Sequence, residues 1–69
     1  MRAGSERRSA KTYVRLHGVE FTVGSSSAMR FRVGEGRWRW VPKSLVQSYD
    51  TERREIVVEE WWAKQEEIA

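Results

Sequence analysis

Cysteine is absent from this chain of 69 residues, histidine and proline occur once each, and no apolar run approaches membrane-spanning length. Without cysteine there are no disulfides and no zinc-ribbon ligands, a composition that fits a reducing compartment. A lone histidine, His17, cannot build a transition-metal centre, and its position before Gly18 marks it as a turn residue, poorly placed for a general base. No signal-peptide apolar segment is present, so a cytoplasmic protein without membrane association is expected. Gly34-Glu35-Gly36 lacks the third glycine and the strand-to-helix setting of a dinucleotide fingerprint. The pairs Glu59-Glu60 and Glu66-Glu67 read as a solvated helix face rather than two spaced catalytic carboxylates. The expectation is a non-enzyme with neither cofactor nor metal.

What is abundant is aromatic bulk and charge. The chain is long enough for one domain that buries roughly 60% of its unfolded surface. Four tryptophans, two tyrosines and two phenylalanines must supply the packing that disulfides would otherwise reinforce. The net charge of +3 is unevenly spread: residues 1–49 hold ten Lys/Arg against three Asp/Glu, and residues 50–69 hold three against seven. Such asymmetry points either to a basic surface for a polyanion or to pairing between the two regions.

Residues 30–41 (RFRVGEGRWRWV) are the most informative stretch, because arginine alternates with large apolar side chains on both sides of a Glu-Gly turn. Successive strand residues point to opposite faces, so the run sorts charge from apolar bulk. A two-residue Glu35-Gly36 loop pairs Val33 with Trp38, Arg32 with Arg39 and Phe31 with Trp40. Met29, Phe31, Val33, Trp38 and Trp40 then form a buried face, and Arg30, Arg32 and Arg39 form the other. A three-residue loop would set Val33 opposite Arg37 and mix the faces, so the even register is expected. It leaves Arg32 facing Arg39, a like-charge conflict that an anion or a carboxylate would have to relieve.

Residues 12–23 (TYVRLHGVEFTV) form a second hairpin on the same reasoning, with His17-Gly18 as its loop. Leu16 pairs with Val19 and Val14 with Phe21 on the apolar face, while Arg15 faces Glu20 and Tyr13 faces Thr22 on the other. Residues 24–27 (GSSS) read as a connector, with no Walker-type lysine after them. Pro42 stops the second hairpin, and Ser44 with Gln47 fits a capping box for one helical turn over residues 45–49. Residues 54–58 (REIVV) add a short strand, and residues 59–68 (EEWWAKQEEI) form a terminal helix that docks through Trp61. The expected fold is α+β: a small antiparallel sheet of two hairpins plus a short strand, with one C-terminal helix. Residues 1–11 read as a disordered basic tail and residues 12–69 as a single small domain.

The segment 28–68 resembles small accessory proteins of phages, prophages and plasmids. The likeness rests on Trp40, Val41, Pro42, Lys43 and Ser44, followed by Val57, Val58, Glu59, Glu60, Trp61 and Ala63 of an acidic Trp-x-Ala helix. Such proteins often end in Gly-Leu where this chain has Glu67-Ile68. The resemblance implies a mobile-element protein of the host cytoplasm and brings no established activity.

Two binding functions follow, from different classes. Arg30, Arg32, Arg37, Arg39 and Lys43 can form a platform for nucleic-acid phosphates, with Tyr13 or Trp62 exposed to stack on bases. Alternatively, the same surface or the aromatic-acidic helix binds an acidic host protein, as an anti-CRISPR-type inhibitor of a defence complex. A homodimer through an unprotected edge strand is a third reading. Against all three stands an ordinary wet sheet face with paired arginines. Lys43 is singled out as a ligand or partner contact, since a charge beside Pro42 has no structural duty.

Overall fold

The run Ile56-Val57-Val58 organises the fold, because three consecutive buried apolar residues require a strand covered on both faces and paired on both edges. A computed structural model describes residues 11–69. It contains six strands: β1 (Tyr13–His17), β2 (Val19–Thr22), β3 (Ala28–Val33), β4 (Arg39–Pro42), β5 (Val46–Asp50) and β6 (Glu55–Glu59). A 3-10 turn (Lys43–Leu45) links β4 to β5, and helix α1 (Glu60–Gln65) follows β6 directly. The strands form two antiparallel sheets of three, ordered β1-β6-β5 and β2-β3-β4, so β6 is central in the first. This is a small α+β fold, as the residue pattern indicates, with one more strand than expected.

The first hairpin is not formed. β1 and β2 diverge at Gly18, whose φ of +67° turns the chain from one sheet into the other. β1 pairs with β6, setting Leu16 against Ile56 and Val14 against Val58, while β2 pairs with β3, setting Val19 against Val33. A tight hairpin at residues 17–18 would have left β6 with one neighbour and its valines uncovered. The predicted apolar face survives this change. Leu16 and Val19 are buried, and Val14 and Phe21 pack against them. Arg15 meets Glu55 at 3.0 Å instead of Glu20.

The register of β3 against β4 also differs from the expected one. Phe31 pairs with Arg39, Arg30 with Trp40 and Met29 with Val41, one residue away from the pattern that would bury both indoles. Residues 34–38 form the connection, with Gly34 at φ +58° and the Gly36 N–H donating to the Val33 carbonyl at 3.0 Å. The inner face is therefore Met29, Phe31 and Val41, with Arg39 beside them, and Trp38 and Trp40 lie outside, 36% and 53% exposed. The reason lies in volume. Phe31, Val41, Val19, Ile56 and Val58 are fully buried and Trp62 closes the core, its ring 6.0 Å from Phe31. Two further indoles would overfill so small an interior.

Residues 45–49 do not form the expected helical turn. The 3-10 turn ends at Leu45 with no side-chain cap, and the following residues extend as β5 against β6, with a register shift between Val46 and Ser48. At the β5–β6 turn, the N–H groups of Glu52 and Arg53 both donate to Asp50 Oδ1 at 3.0 Å, and Arg54 takes φ +60°. The terminal helix is shorter than predicted and docks by Trp62 and Ala63, not Trp61, which is 54% exposed and donates its Nε1–H to Glu59 Oε1 at 2.7 Å. Because β6 runs straight into α1, the strand fixes the helix rotation, and Trp62 is the indole that lands on Phe31. The expected basic tail lies outside the described residues except for Lys11, whose Nζ is 3.3 Å from Glu59.

Helix α1 ends in a Schellman arrangement. The Ile68 N–H donates to the Ala63 carbonyl and the Glu67 N–H to that of Lys64, both at 3.0 Å, with Glu67 left-handed at φ +63°. Glycine occupies that position at little cost, so Glu67→Gly is expected to raise stability by about 0.5–1 kcal/mol in urea unfolding. Trp62→Ala is expected to cost about 3–5 kcal/mol and to unfold much of the population, whereas Trp61→Ala costs under about 1 kcal/mol. Thermal unfolding of the two alanine variants side by side checks the rotation of the helix.

Candidate binding face

The outer face of the β2-β3-β4 sheet gathers charge and indoles in one row. Alternate residues of β3 place Arg30 and Arg32 outward, cross-strand pairing adds Thr22 and Glu20 from β2, and β4 adds Trp40. Trp38, just before β4, folds over the same face. The Arg30 guanidinium carbon lies 5.6 Å from the Trp40 ring centroid and 5.8 Å from that of Trp38, and Arg32 lies 4.8 Å from Trp38. The row ends in ion pairs: Arg32 Nε and Nη2 approach Glu20 Oε1 at 2.9 and 2.8 Å, and Arg54 Nη2 approaches Glu20 Oε2 at 3.4 Å. The order along the face is Trp40, Arg30, Trp38, Arg32, Glu20, Arg54.

Each guanidinium–indole contact contributes about 0.5–1 kcal/mol at such half-exposed positions, enough to orient the rings without sealing them from solvent. Glu20 offsets one of the two arginines it touches, leaving the row with excess positive charge. Arg30 has no carboxylate partner among the described residues, and its buried Nε carries no hydrogen bond. An unsatisfied buried donor is destabilising by about 1–3 kcal/mol, and such local costs concentrate where a protein binds something.

The residues singled out from sequence do not converge on one place. Arg30 and Arg32 share the row, and exposed Arg37 lies in the loop before Trp38. Arg39 belongs to the opposite face, its side chain only 14% exposed and its Nη1 donating to Glu66 Oε1 at 2.7 Å. The predicted Arg32–Arg39 conflict therefore does not arise: each has its own carboxylate, Glu20 for one and Glu66 of the helix end for the other. Lys43 is exposed on the 3-10 turn, away from the row. Tyr13 stands half-buried on β1 in the other sheet, opposite Glu59. Trp62, expected as a stacking residue, is a core residue and cannot act as one.

The exposed indoles of this face, Trp38 and Trp40, are ones that the alternation pattern assigns to the core. The signal that could have found them was present: Arg-Trp-Arg-Trp alternates equally well in either phase, and only the neighbouring Val41 and Pro42 fix which phase is buried. His17 pairs with Glu55 at 3.1 Å on the other sheet, and no group of His, Asp and Glu side chains among the described residues is arranged to hold a metal ion. No described helix is long and apolar enough to cross a membrane. Comparison with protein-family models, characterised proteins and solved structures finds no match.

The two faces of β4 predict opposite responses. Trp40→Ala is expected to change stability by less than about 1 kcal/mol, since its ring is half in water. Arg39→Ala is expected to cost about 1–3 kcal/mol, because Glu66 loses its partner in a partly buried setting. Urea unfolding of the two variants checks the assignment, and the reverse order of effects would contradict it.

Proposed function

We propose that the chain is a non-enzymatic binding module for single-stranded nucleic acid, acting through the outer face of β2-β3-β4. The observation that carries this reading is the exposure of two indoles, Trp38 and Trp40, beside Arg30 and Arg32 on the outer face of the sheet. Indole faces stack on unpaired bases of any sequence, and flanking guanidinium groups meet the phosphates. Arg54 lies at the end of the row and extends the positive surface along a bound strand. Duplex bases are already stacked on each other and do not offer their faces to the indoles, so single strands are preferred. The resemblance of residues 28–68 to phage and plasmid proteins supports placing this activity in a mobile element within a host cytoplasm.

The competing reading, an anti-CRISPR-type inhibitor that docks on a host protein, draws on the same chemistry, since tryptophan and arginine also anchor protein interfaces. Its separate support is Trp61, exposed on an acidic helix end. Salt dependence distinguishes the two. Titration of the chain with an eight-nucleotide single strand, followed by indole fluorescence, is expected to show quenching and affinity that falls with log salt by about 0.7 per phosphate contacted. Trp38→Ala with Trp40→Ala together are expected to weaken binding about a hundredfold, and Arg30→Ala to flatten the salt slope by about 0.7. No affinity for single-stranded DNA or RNA at low salt would remove the reading and leave the inhibitor.

A further inference from the structure

The seam between β2 and β5 has features that the Trp–Arg row does not use. β5 pairs only with β6 and β2 only with β3, so each leaves one backbone edge without a strand partner. Where the two edges face each other, the described links include the Val19 N–H to Arg54 carbonyl bond of 2.9 Å, the Arg54 Nη2 to Glu20 Oε2 contact of 3.4 Å and the tilted ring pair of Phe21 and Tyr49, 5.8 Å apart. Two adjoining depressions open along this seam. One, of about 390 Å³, is lined by Met29, Lys43, Val46, Gln47, Ser48 and Tyr49. The other, of about 240 Å³, shares Met29, Lys43 and Tyr49 and continues to Phe21 and Ala28.

Among the described residues, Lys43 is the only charged side chain lining either depression. No carboxylate among the described residues lies within ion-pairing distance of it. Its backbone is fixed at the seam, since the Lys43 N–H donates to the Ser27 carbonyl at 2.9 Å. An ammonium without a carboxylate partner beside an apolar trough and a strand edge is a specific combination. The edge offers backbone groups that another extended chain satisfies, the trough takes apolar side chains, and the ammonium selects a carboxylate.

We propose that this seam is a docking site for an extended peptide segment of a protein partner, added as a further strand along the β5 edge, with an acidic side chain of the peptide paired to Lys43. Alternate side chains of an added strand point the same way at a spacing of about 6.6 Å, so successive inward residues enter the two adjoining depressions. The register shift between Val46 and Ser48 disturbs the first half of β5, so backbone pairing runs along residues 48–50. Among the described residues the two depressions hold one cation and no indole, so their preference is for a peptide rather than a nucleic acid. This proposal uses neither the indoles nor Arg30 and Arg32, and it stands or falls separately from the nucleic-acid reading.

The test is amide chemical-shift mapping of the isotope-labelled full chain with two capped heptapeptides. Both alternate valine and threonine; one ends in glutamate and the other in glutamine. The expected result is shifts concentrated at residues 43–50 and at Phe21 and Thr22, with the glutamate peptide bound about fivefold more tightly. Lys43→Gln, at an exposed position, is expected to erase that difference while leaving the glutamine peptide unaffected. Equal affinity for the two peptides, shifts centred on Trp38 and Trp40, or no shifts at millimolar peptide would each overturn the proposal. Signals of β5 that move with protein concentration in the absence of peptide would assign the edge to a second copy of the chain, and would also overturn it.

Discussion

The interior between the two sheets accommodates one indole, and that indole is Trp62. Its ring packs on Phe31 and is flanked by Val19, Val41, Ile56 and Val58, all of them fully buried. With that space filled, β3 and β4 can pair only in the register that turns Trp38 and Trp40 outward and Arg39 inward. The guanidinium–indole row on the outside and the Arg39–Glu66 pair on the inside are consequences of the same packing limit. Packing density, more than the segregation of polar from apolar residues, decides the face.

This limit links the fold to the proposed binding face. A sheet that buried its tryptophans would present a plain arginine surface, with electrostatic attraction and no stacking. The observed sheet presents half-exposed rings held by guanidinium groups. Ion pairs at Glu20 and at Glu66 use up two arginines, Arg32 and Arg39, which leaves Arg30, Arg37 and Lys43 without carboxylates among the described residues. The unpaired charges fall in two separate places. Arg30 goes with the indoles, and Lys43 goes with the seam.

Much of the fold is legible in the residues. The apolar set Val14, Leu16, Val19 and Phe21, the strand at residues 55–59, the stop at Pro42 and the terminal helix all follow from local pattern. Strand partners do not. Gly18 suits a hairpin turn and a bend between sheets equally well, and only the demand of Ile56, Val57 and Val58 for two neighbours chooses the bend. The phase of residues 37–41 fails for a related reason: arginine and tryptophan are both amphipathic, so either can cover a half-buried face. Trp61 and Trp62 are adjacent, and which one enters the core depends on how β6 delivers the chain to α1. Glu67 occupies the left-handed position that glycine suits, and Ile68 packs back on the core.

The register of β3 on β4 is most directly tested by cross-strand nuclear Overhauser contacts between backbone protons. The account requires connectivities from Phe31 to Arg39, Arg30 to Trp40 and Met29 to Val41. Contacts from Phe31 to Trp40 and Arg32 to Arg39 would return both indoles to the interior and contradict it.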